Sequence, residues 1–412
     1  MGARSGRSAS GPFALFVLAT VALSVASAED ELVLQARLSP CELIKYHGYP
    51  CEISYATTDD GYVLEVDRIP HGRSVNASAE STTPRYPILL LPVFCSAADV
   101  WFLNYPSQTP GFLFADAGFD VWAMNSREAR PYSKHKTLSQ KDPKYWRWSF
   151  DDIGRYDVAA TIDHVLKVTG APKLTLVALS QGAVTTLVLL SSRPEYNDKV
   201  DLVIAYGPVA NLTHAGPPLS LALPILPPVL RALDPFSRGA YLGASDGLQR
   251  VFTRLCEVVT GQVCSVVVTL SLFSSPHQLN ETRMPVYAGH WPVGTTIQNM
   301  RHYYQVYRAQ NFVMYDHGAM ENMWRYGQRT PPPYPLERIT SPYAIFSSEG
   351  DLVADTQDVA NLVARLGETA ILHRVVPQKT LRHLDFALGY NANDFLHDVA
   401  IDLIRKHASQ YP

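Results

Sequence analysis

A serine at position 180 lies where an apolar run changes character. Residues 174–179, LTLVAL, have the β-branched and apolar composition of a buried strand, and the segment from Gln181 to Leu190 continues with the composition of a helix. A serine at a sharp strand-to-helix turn is typical of a nucleophile elbow, in which the hydroxyl attacks a carbonyl group. The usual pattern is Gly-x-Ser-x-Gly, and here Ala178 adds only a methyl group at its first position. Ser180 is therefore a candidate nucleophile, and the alternative is an ordinary serine in a turn.

A nucleophilic serine needs a general base, and the base needs a carboxylate that orients it. In enzymes that place this triad on a parallel sheet, an acid and then a histidine follow the serine, each on a loop after a strand. Asp351 lies in SSEGDLVAD, directly after the predicted strand YAIF, with Asp355 and Asp358 as competitors further on. His383 lies in TLRHLDF, between the predicted strand AILHRVV and the last predicted helix. We predict Asp351 as the acid and His383 as the base, although an aspartate at position 351 is equally suited to capping the next helix.

Strands and helices alternate along most of the chain. Residues 53–70 predict two strands around an Asp-Asp-Gly turn, and YPILLLPVF and FDVWAMN are continuous apolar runs typical of buried parallel strands. A helix ending at Gly118 separates these two runs. The segment SFDDIGRYDVAATIDHVLKVTG has the helical period, with Ser149 and Asp152 as a cap and Gly170 after the last turn. Further strands are predicted in KLTLVAL, VDLVIAYGPV, SPYAIFSS and AILHRVV, so we predict an α/β fold with a mostly parallel sheet.

The alternation stops between residues 211 and 335. This segment is rich in proline and aromatic residues and shows no regular strand, so we interpret it as an insertion that caps the sheet. The predicted organisation is a signal peptide at 1–28, a first part of the core at 29–210, a cap or lid at 211–335, and a second part of the core at 336–412.

The N-terminus has the features of a secretory signal. Arg4 and Arg7 precede an apolar stretch from Pro12 to Val25, and small residues before Glu29 predict cleavage there. The apolar stretch is shorter than the ~20 residues a membrane span needs, and no later segment offers an uninterrupted run of that length. We predict entry into the secretory pathway, a secreted or lysosomal destination, and no transmembrane span in the mature chain. Three glycosylation sequons fit this route: Asn76, Asn211 and Asn280.

Five cysteines in an oxidising compartment are expected to pair for the most part. Cys41 and Cys51 bracket nine residues, and Cys256 and Cys264 bracket seven. Two local bridges are therefore predicted, and Cys95 remains as a buried thiol that behaves as a small apolar residue.

The charge of the chain excludes one class of partner. The formal net charge is −3, and the lysines and arginines are scattered rather than gathered in a stripe. Nucleic-acid binding requires a concentrated basic surface, so no nucleic-acid partner is predicted.

Long stretches from about Cys41 to the C-terminus resemble one family. They include HGYPCEISYATTDDGYVLEVDRIPHG, YWRWSFDDIGRYDVAATID, LSQGA, HWPVGTTIQNMRHYYQ, GDLVADTQDV and HLDF. In these stretches the chain is similar to the acid lipases, the α/β-hydrolase family that contains the gastric and lysosomal lipases. The resemblance implies an α/β-hydrolase fold with helices on both faces of the sheet and an inserted cap or lid. It also implies that Ser180, Asp351 and His383 form the triad.

The same resemblance implies the substrate and the remaining site residues. The substrate would be a neutral lipid ester, a triacylglycerol or cholesteryl ester, met at a lipid–water interface. The backbone N–H groups of Val93 and Gln181 would form the oxyanion hole, Cys256 and Cys264 would form the disulfide of the cap, and neither a metal nor an organic cofactor is expected.

Three stretches depart from the family pattern. Ala178-Leu179 replace Gly-His before the serine, Leu91-Pro92-Val93 replace His-Gly-Leu on the oxyanion strand, and Glu128-Ala129 replace Gly-Asn after the next strand, which adds a carboxylate. Because proline has no N–H, a shift of one residue on the oxyanion strand would remove a donor and cost ~2.7–4 kcal/mol of transition-state stabilisation. The sequence therefore predicts a lipase or, as the alternative, a lipid-binding relative with weakened catalysis. A serine peptidase or a small-ester esterase on the same fold is a third alternative.

Overall fold

The protein is built around one large, mostly parallel sheet. In the computed structural model, residues 31–73, 84–241, 270 and 273–408 are described. The sheet has nine strands in the order β1-β2-β4-β3-β6-β7-β10-β11, with β5 paired to β2 beside this path. In this spatial order, the six strands β4, β3, β6, β7, β10 and β11 run parallel to one another. Strands β1, β2 and β5 form antiparallel pairs at one side of the sheet. The predicted hairpin around the Asp-Asp-Gly turn is the β1–β2 pair.

The strand bounds follow the predicted apolar runs closely. The strands are β1 Glu52–Thr57, β2 Tyr62–Ile69, β3 Pro87–Leu91, β4 Asp120–Met124, β5 Ser133–His135, β6 Leu174–Leu179, β7 Val200–Tyr206, β8 Ala240–Tyr241, β9 Thr295–Thr296, β10 Tyr343–Ser347 and β11 Ala370–Val375.

Helices cover both faces of the sheet. The α-helices are α1 Pro40–Tyr46, α2 Pro110–Asp116, α3 Phe150–Asp152, α4 Ala159–Thr169, α5 Gln181–Ser192, α6 Leu219–Ala222, α7 Leu226–Ser237, α8 Met284–His290, α9 Ile297–Ala309, α10 Ala319–Tyr326, α11 Thr356–Leu366, α12 Asp385–Leu388 and α13 Asp398–Ala408. Wider π-type turns occupy Ile153–Val158 and Asn393–His397.

The alternation of side chains along each strand separates two cores. Leu89 and Leu91 of β3 belong to the core on one face of the sheet, while Ile88 and Leu90 belong to the core on the other. The first core contains residues of α4, α5 and α11, and the second contains residues of α1, α2, α8 and α13. Because both faces are covered, the central strands are apolar throughout, which is why they appear in the sequence as continuous apolar runs.

The helix predicted from SFDDIGRYDVAATIDHVLKVTG begins and ends where its caps indicate. Ser149 accepts from the backbone N–H of Asp151, and Asp152 accepts from the N–H of Ser149 at 2.8 Å. Gly170 ends the helix in the left-handed conformation, with φ of 69°. The structure differs from the prediction in the middle, where residues Ile153–Val158 form a wider turn between α3 and α4.

The predicted insertion contributes no strand to the main sheet in its described part. Between β7 and β10 the chain instead forms helices α6 to α10 and a two-residue ribbon in which β8 pairs antiparallel with β9. The prediction that this segment has no regular strand was therefore wrong for Ala240–Tyr241 and Thr295–Thr296. The bounds 211 and 335, like the other domain limits, stay predictions.

One exposed apolar helix lies in this segment. The helical run Leu219–Ser237, which contains α6 and α7, is long and apolar enough to cross a membrane by length and composition alone, and only 11% of its most apolar window is buried. The sequence predicted no apolar run of spanning length after the N-terminal stretch, whereas this helical run has that length and composition, so the absence of a transmembrane span in the mature chain stays a prediction.

Candidate active site

Ser180 lies at the junction of β6 and α5, as the elbow prediction requires. Its φ is 57° and its ψ −116°, a conformation that residues with a side chain rarely adopt. The turn is held because the Ser180 N–H donates to the carbonyl of Tyr206 on β7 at 2.9 Å. Gly182 follows, and a Cβ there would lie 2.6 Å from the carbonyl oxygen of Leu91 and 2.8 Å from that of Pro92. Strand β3 and helix α5 therefore approach too closely for any larger residue at position 182.

The three residues predicted as a triad form one hydrogen-bonded chain. Ser180 Oγ and His383 Nε2 are 2.7 Å apart, and His383 Nδ1 and Asp351 Oδ2 are 2.8 Å apart. All three side chains are buried. They come from loops after β6, β10 and β11, and the carboxyl ends of parallel strands meet at the same edge of a sheet. In this arrangement the hydroxyl donates to Nε2 and the Nδ1–H donates to the carboxylate.

The competing aspartates have other partners. Asp355 caps α11, since its side chain accepts from the N–H of Gln357 at 2.8 Å, and Asp358 contacts the ring of His214 at 2.7 Å. Asp351 alone of these three contacts His383. Its second oxygen accepts from the N–H groups of Val353 and Ala354, which fixes the orientation of the carboxylate.

The His383 loop is anchored by its own backbone. The His383 N–H donates to the carbonyl of Phe273 at 3.1 Å. Two residues on, the buried Asp385 accepts from the N–H groups of Arg382 and Ser275, and burial raises the pKa of Asp385 to about 7. Both His383 and Asp385 thus connect this loop to residues 273–275, at the described end of the inserted segment.

The two residues predicted to form the oxyanion hole lie at this edge of the sheet. Val93 follows β3 and is buried, and Gln181 is the first residue of α5. Within the described ranges, neither the Val93 N–H nor the Gln181 N–H donates to another residue. The close contact of Gly182 with Leu91 and Pro92 brings the loop after β3 against the start of α5. Two backbone donors without partners among the described residues therefore lie beside the Ser180 turn.

The departures from the family pattern are accommodated by packing. Ala178 pairs with Leu91 on β3 and with Ala205 on β7, and it is fully buried. Leu179 is fully buried in the core on the opposite face, together with Ile204. Both apolar substitutions thus fill core positions of β6.

A polar cluster around Gln181 was not predicted. The Gln181 side chain donates to Glu128 Oε2 at 2.7 Å and accepts at Oε1 from Asn299 at 2.8 Å and from Tyr303 at 3.2 Å. Glu128 is fully buried, and burial raises the pKa of its carboxyl to about 8. The added carboxylate was visible in the sequence as a departure after β4, but its contact with the residue beside the nucleophile was not.

The predicted cysteine and sequon sites are described in part. Cys41 and Cys51 form a disulfide, and Cys95 is free and buried. Asn211 and Asn280 are partly exposed, and each accepts a hydrogen bond from the hydroxyl of its own sequon threonine. The other predicted sites lie outside the described residues: Cys256, Cys264, Asn76 and the signal peptide at 1–28.

Among the described residues, one group of side chains has the spacing of a metal site. Cys41, Cys51 and Asp67 bring their ligand atoms within 4.8 Å of one another. The two sulfurs are bonded to each other in the disulfide, so no thiolate is available there. The expectation that no metal or cofactor is used stays a prediction.

The fold and the site define an α/β-hydrolase with a serine, histidine and aspartate at the carboxyl edge of its sheet. Residues 41–105 match the family described as the partial alpha/beta-hydrolase lipase region. The fold is shared with the crystal structure of a soluble variant of monoglyceride lipase from Saccharomyces cerevisiae in complex with a substrate analogue. That match has a TM-score of 0.51 at 14% identity, and it covers 87% of this chain and 96% of the other.

Two proteins show the family more closely. Over 376 residues the chain is 33% identical to lipase member K of Homo sapiens, which covers 90% of this chain and 92% of that protein. Over 375 residues it is 34% identical to the lysosomal acid lipase/cholesteryl ester hydrolase of Rattus norvegicus, with the same coverage. The chain belongs to the acid lipase family and is a lipase, a carboxylic ester hydrolase.

Proposed function

We propose that this lipase hydrolyses neutral lipid esters, triacylglycerols or cholesteryl esters, through Ser180, His383 and Asp351. The observation that carries the proposal is the hydrogen-bonded chain from Ser180 Oγ through His383 to Asp351, with links of 2.7 and 2.8 Å. A serine hydroxyl is a weak nucleophile unless a base removes its proton, and this chain supplies the base and its orienting carboxylate.

The reaction has two steps. Ser180 Oγ attacks the ester carbonyl carbon while His383 Nε2 takes the hydroxyl proton, and the alcohol leaves with that proton from His383. A water molecule then attacks the acyl-enzyme, with His383 again as the base, and releases the carboxylic acid. Asp351 holds the Nδ1–H, which keeps Nε2 free to accept the proton.

The backbone N–H groups of Val93 and Gln181 are proposed to bind the oxyanion that forms in each step. Their lack of protein partners within the described ranges supports this role. Pro92 has no N–H, but Val93 supplies the donor in the register proposed here, so the proline does not remove it.

The apolar surface of the inserted segment supports a lipid substrate. Exposed apolar side chains recur at four-residue spacing along the helical run Leu219–Ser237, namely Leu221, Ile225, Val229 and Leu233. Phe236, near the end of the same run, is 87% exposed. Exposed apolar patches of this kind mark contacts with apolar partners, and a lipid surface is such a partner. The rat relative is named as a cholesteryl ester hydrolase, which agrees with this substrate class.

The first experiment is labelling with a fluorophosphonate, because this reagent reports the nucleophile without requiring a lipid. The wild type is expected to react stoichiometrically at one site, located at Ser180 by mass spectrometry. The variant Ser180→Ala is expected not to react, and Ser107→Ala, which changes an exposed serine, is expected to react as the wild type does. Hydrolysis of emulsified triacylglycerol and cholesteryl ester is then compared with that of short soluble esters and peptides.

A lipid-binding relative with weakened catalysis is the second candidate, favoured by the departures at Pro92, Ala178 and Leu179. A folded wild type that binds lipid in stoichiometric amounts but does not react at Ser180 would establish that alternative. Preference for short soluble esters or for peptides would instead contradict the proposed substrate.

The proposed location is the secretory pathway, with a secreted or lysosomal destination. The predicted signal peptide supports it, and so does the relative named as lysosomal. The Cys41–Cys51 disulfide is of the kind that persists in an oxidising compartment.

A further inference from the structure

Glu128 lies between three segments that meet at the proposed oxyanion hole. It follows β4, and its carboxyl group lies between the loop after β3, the start of α5 and helix α9. Its Oε2 accepts from Gln181 Nε2 at 2.7 Å, and Gln181 is itself the second proposed donor. The Cys95 N–H, two residues from Val93, and the Thr295 hydroxyl are near enough to lower the pKa of the carboxyl. One carboxyl group therefore bonds to one side of the hole and lies beside the loop that carries the other.

The same contacts extend into the inserted segment. Asn299 of α9 donates to Gln181 Oε1 at 2.8 Å and to Thr295 Oγ1 at 3.1 Å, and it lies 3.5 Å from Glu128 Oε1. The carbonyl of Cys95 accepts from the Val293 N–H at 2.9 Å. Cys95 is in the left-handed region with φ of 56°, so its loop is held in a conformation that needs such support.

No cation neutralises this carboxyl among the described residues. The adjacent Arg127 is committed elsewhere, since its guanidinium pairs with Asp60 at 2.7 Å and with Asp157 at 2.7 Å. A buried carboxylate without a cation is costly, so the group stays protonated to a higher pH than usual.

We propose that Glu128 is a positioning residue, which through its hydrogen bond to Gln181 holds the start of α5 against the loop of Val93 and so fixes the spacing of the two oxyanion donors. This inference rests on the proposed function of the site. Because the family pattern has glycine at this position, the contact between Glu128 and Gln181 is specific to this chain's own sequence.

The charge state of Glu128 then affects the rate. An ionised carboxylate beside Gln181 would repel the negative charge that develops on the oxyanion. The other titratable groups that face it are Cys95 from the loop after β3 and Tyr303 from α9, while α5 presents the uncharged Gln181. Burial raises the pKa of Cys95 and of Tyr303 well above their ordinary values, so both stay neutral where Glu128 titrates.

The test measures the rate of fluorophosphonate labelling at Ser180 from about pH 5 to about pH 9 for four proteins. These are the wild type, Glu128→Gln, Glu128→Ala and the control Glu368→Gln, which changes an exposed glutamate. The wild-type and control rates are expected to fall as the pH rises through about 8. The rate of Glu128→Gln is expected not to fall with rising pH, because glutamine cannot ionise. Glu128→Ala is expected to react about ten-fold or more slowly than the wild type at every pH. This loss is smaller than the roughly hundred-fold or greater effect of losing an oxyanion donor altogether, because the donors stay present but are less well placed.

A second readout does not depend on the reaction. Amide hydrogen exchange in peptides covering residues 92–96 and 180–183 is expected to be faster in Glu128→Ala than in the wild type, and unchanged in Glu368→Gln. Equal labelling rates and pH profiles in all four proteins, with equal exchange, would overturn the positioning role while leaving the proposed function intact. A folded wild type that does not react at Ser180 would refute the proposed function, and the exchange measurement alone would then support or overturn the tie between the two segments.

Discussion

At the scale of single residues, one hydrogen bond distinguishes Asp351 from the nearby Asp355 and Asp358, because Asp351 alone of the three contacts His383. The prediction of Asp351 over Asp355 and Asp358 depended on position alone, and the sequence left a helix cap as an equal alternative. The structure shows why position was informative. Asp351 precedes the turn that leads into α11, where it reaches His383, whereas Asp355 occupies the cap itself.

The cluster around Gln181 could not be predicted in the same way. Glu128 is more than a hundred residues away from Thr295, Asn299 and Tyr303, and no local pattern relates it to them. The only signal was the carboxylate added after β4. A buried acid in a loop after a parallel strand indicates a contact at the carboxyl edge, but the sequence does not say with which residue.

The aspartate assignment gives a matched pair of variants. Asp351→Asn is expected to lower kcat by about 10⁴-fold, because an asparagine favours the wrong tautomer of His383. Asp355→Asn is expected to change neither kcat nor stability appreciably, because asparagine caps a helix about as well as aspartate. Hydrolysis of a short soluble ester by both variants measures this difference. A loss of comparable size in Asp355→Asn would contradict the assignment.

At the scale of elements, the buried strands and the capped helices were predicted well, since each has a strong local signal. The widened turn at Ile153–Val158 had a weaker signal. The apolar positions of that helix are Ile153, Val158, Ile162 and Val165, and the first spacing of five residues is one more than a regular α-helix allows. The β8–β9 ribbon could not be predicted, because two-residue strands have no periodicity.

The close approach of α5 to β3 predicts the effect of one methyl group. Alanine normally stabilises a helix relative to glycine by about 1 kcal/mol, but in Gly182→Ala the new Cβ meets the carbonyl oxygens of Leu91 and Pro92. We expect a loss of about 1–3 kcal/mol in the free energy of unfolding, as in other overpacked sites, and slower labelling of Ser180. Urea unfolding and labelling rates measure the two effects. A variant that is more stable and equally reactive would show that the contact between α5 and β3 is not tight.

The exposed face of α7 predicts a substrate-dependent effect. Phe236→Asp removes the most exposed apolar side chain of this helix and adds a charge, so it is expected to lower the rate on emulsified triacylglycerol more than the rate on a short soluble ester. Met320→Asp provides the comparison, because Met320 is 90% exposed on the separate helix α10. Equal rate ratios in Phe236→Asp and the wild type would remove α7 from the proposed lipid contact.

At the scale of the whole molecule, several buried groups titrate far from their usual pH. Among the described carboxyls, burial raises the pKa of four most strongly, and these four therefore hold protons in the folded protein that they lose in the unfolded chain near pH 4.5. They are Asp67 and Glu128 at about 8, and Asp152 and Asp385 at about 7. Among the described histidines, burial lowers the pKa of three most strongly, and these three are neutral in the folded protein below their usual pKa: His47 and His302 at about 4, and His397 at about 3.

Below about pH 6.5 the four carboxyls and the three histidines have opposite effects on the free energy of unfolding. Above about pH 6.5, of these two sets, only the carboxyls change it. Stability falls with rising pH wherever the folded state binds more protons than the unfolded state, which holds for the carboxyls between about pH 4.5 and about pH 8. The histidines reduce stability as the pH falls below 6.5, so the two effects oppose each other there.

We therefore expect the free energy of unfolding to fall by at least about 1 kcal/mol between about pH 6.5 and about pH 8. Urea unfolding at the two pH values measures this fall. Asp67→Asn removes one of the four carboxyls and is expected to show a smaller fall than the wild type. A free energy of unfolding that rises over this interval would refute the assignment of these groups as buried acids.

The backbone at Ser180 has a consequence for how such a chain could change over generations. A serine held at a φ of 57° carries strain of about 1–3 kcal/mol, and glycine would relieve most of it. A lineage that no longer used the hydroxyl would gain stability at once by accepting glycine there. The hydroxyl is thus retained although its loss would make the folded state more stable. Its presence is itself an argument that catalysis is still under selection.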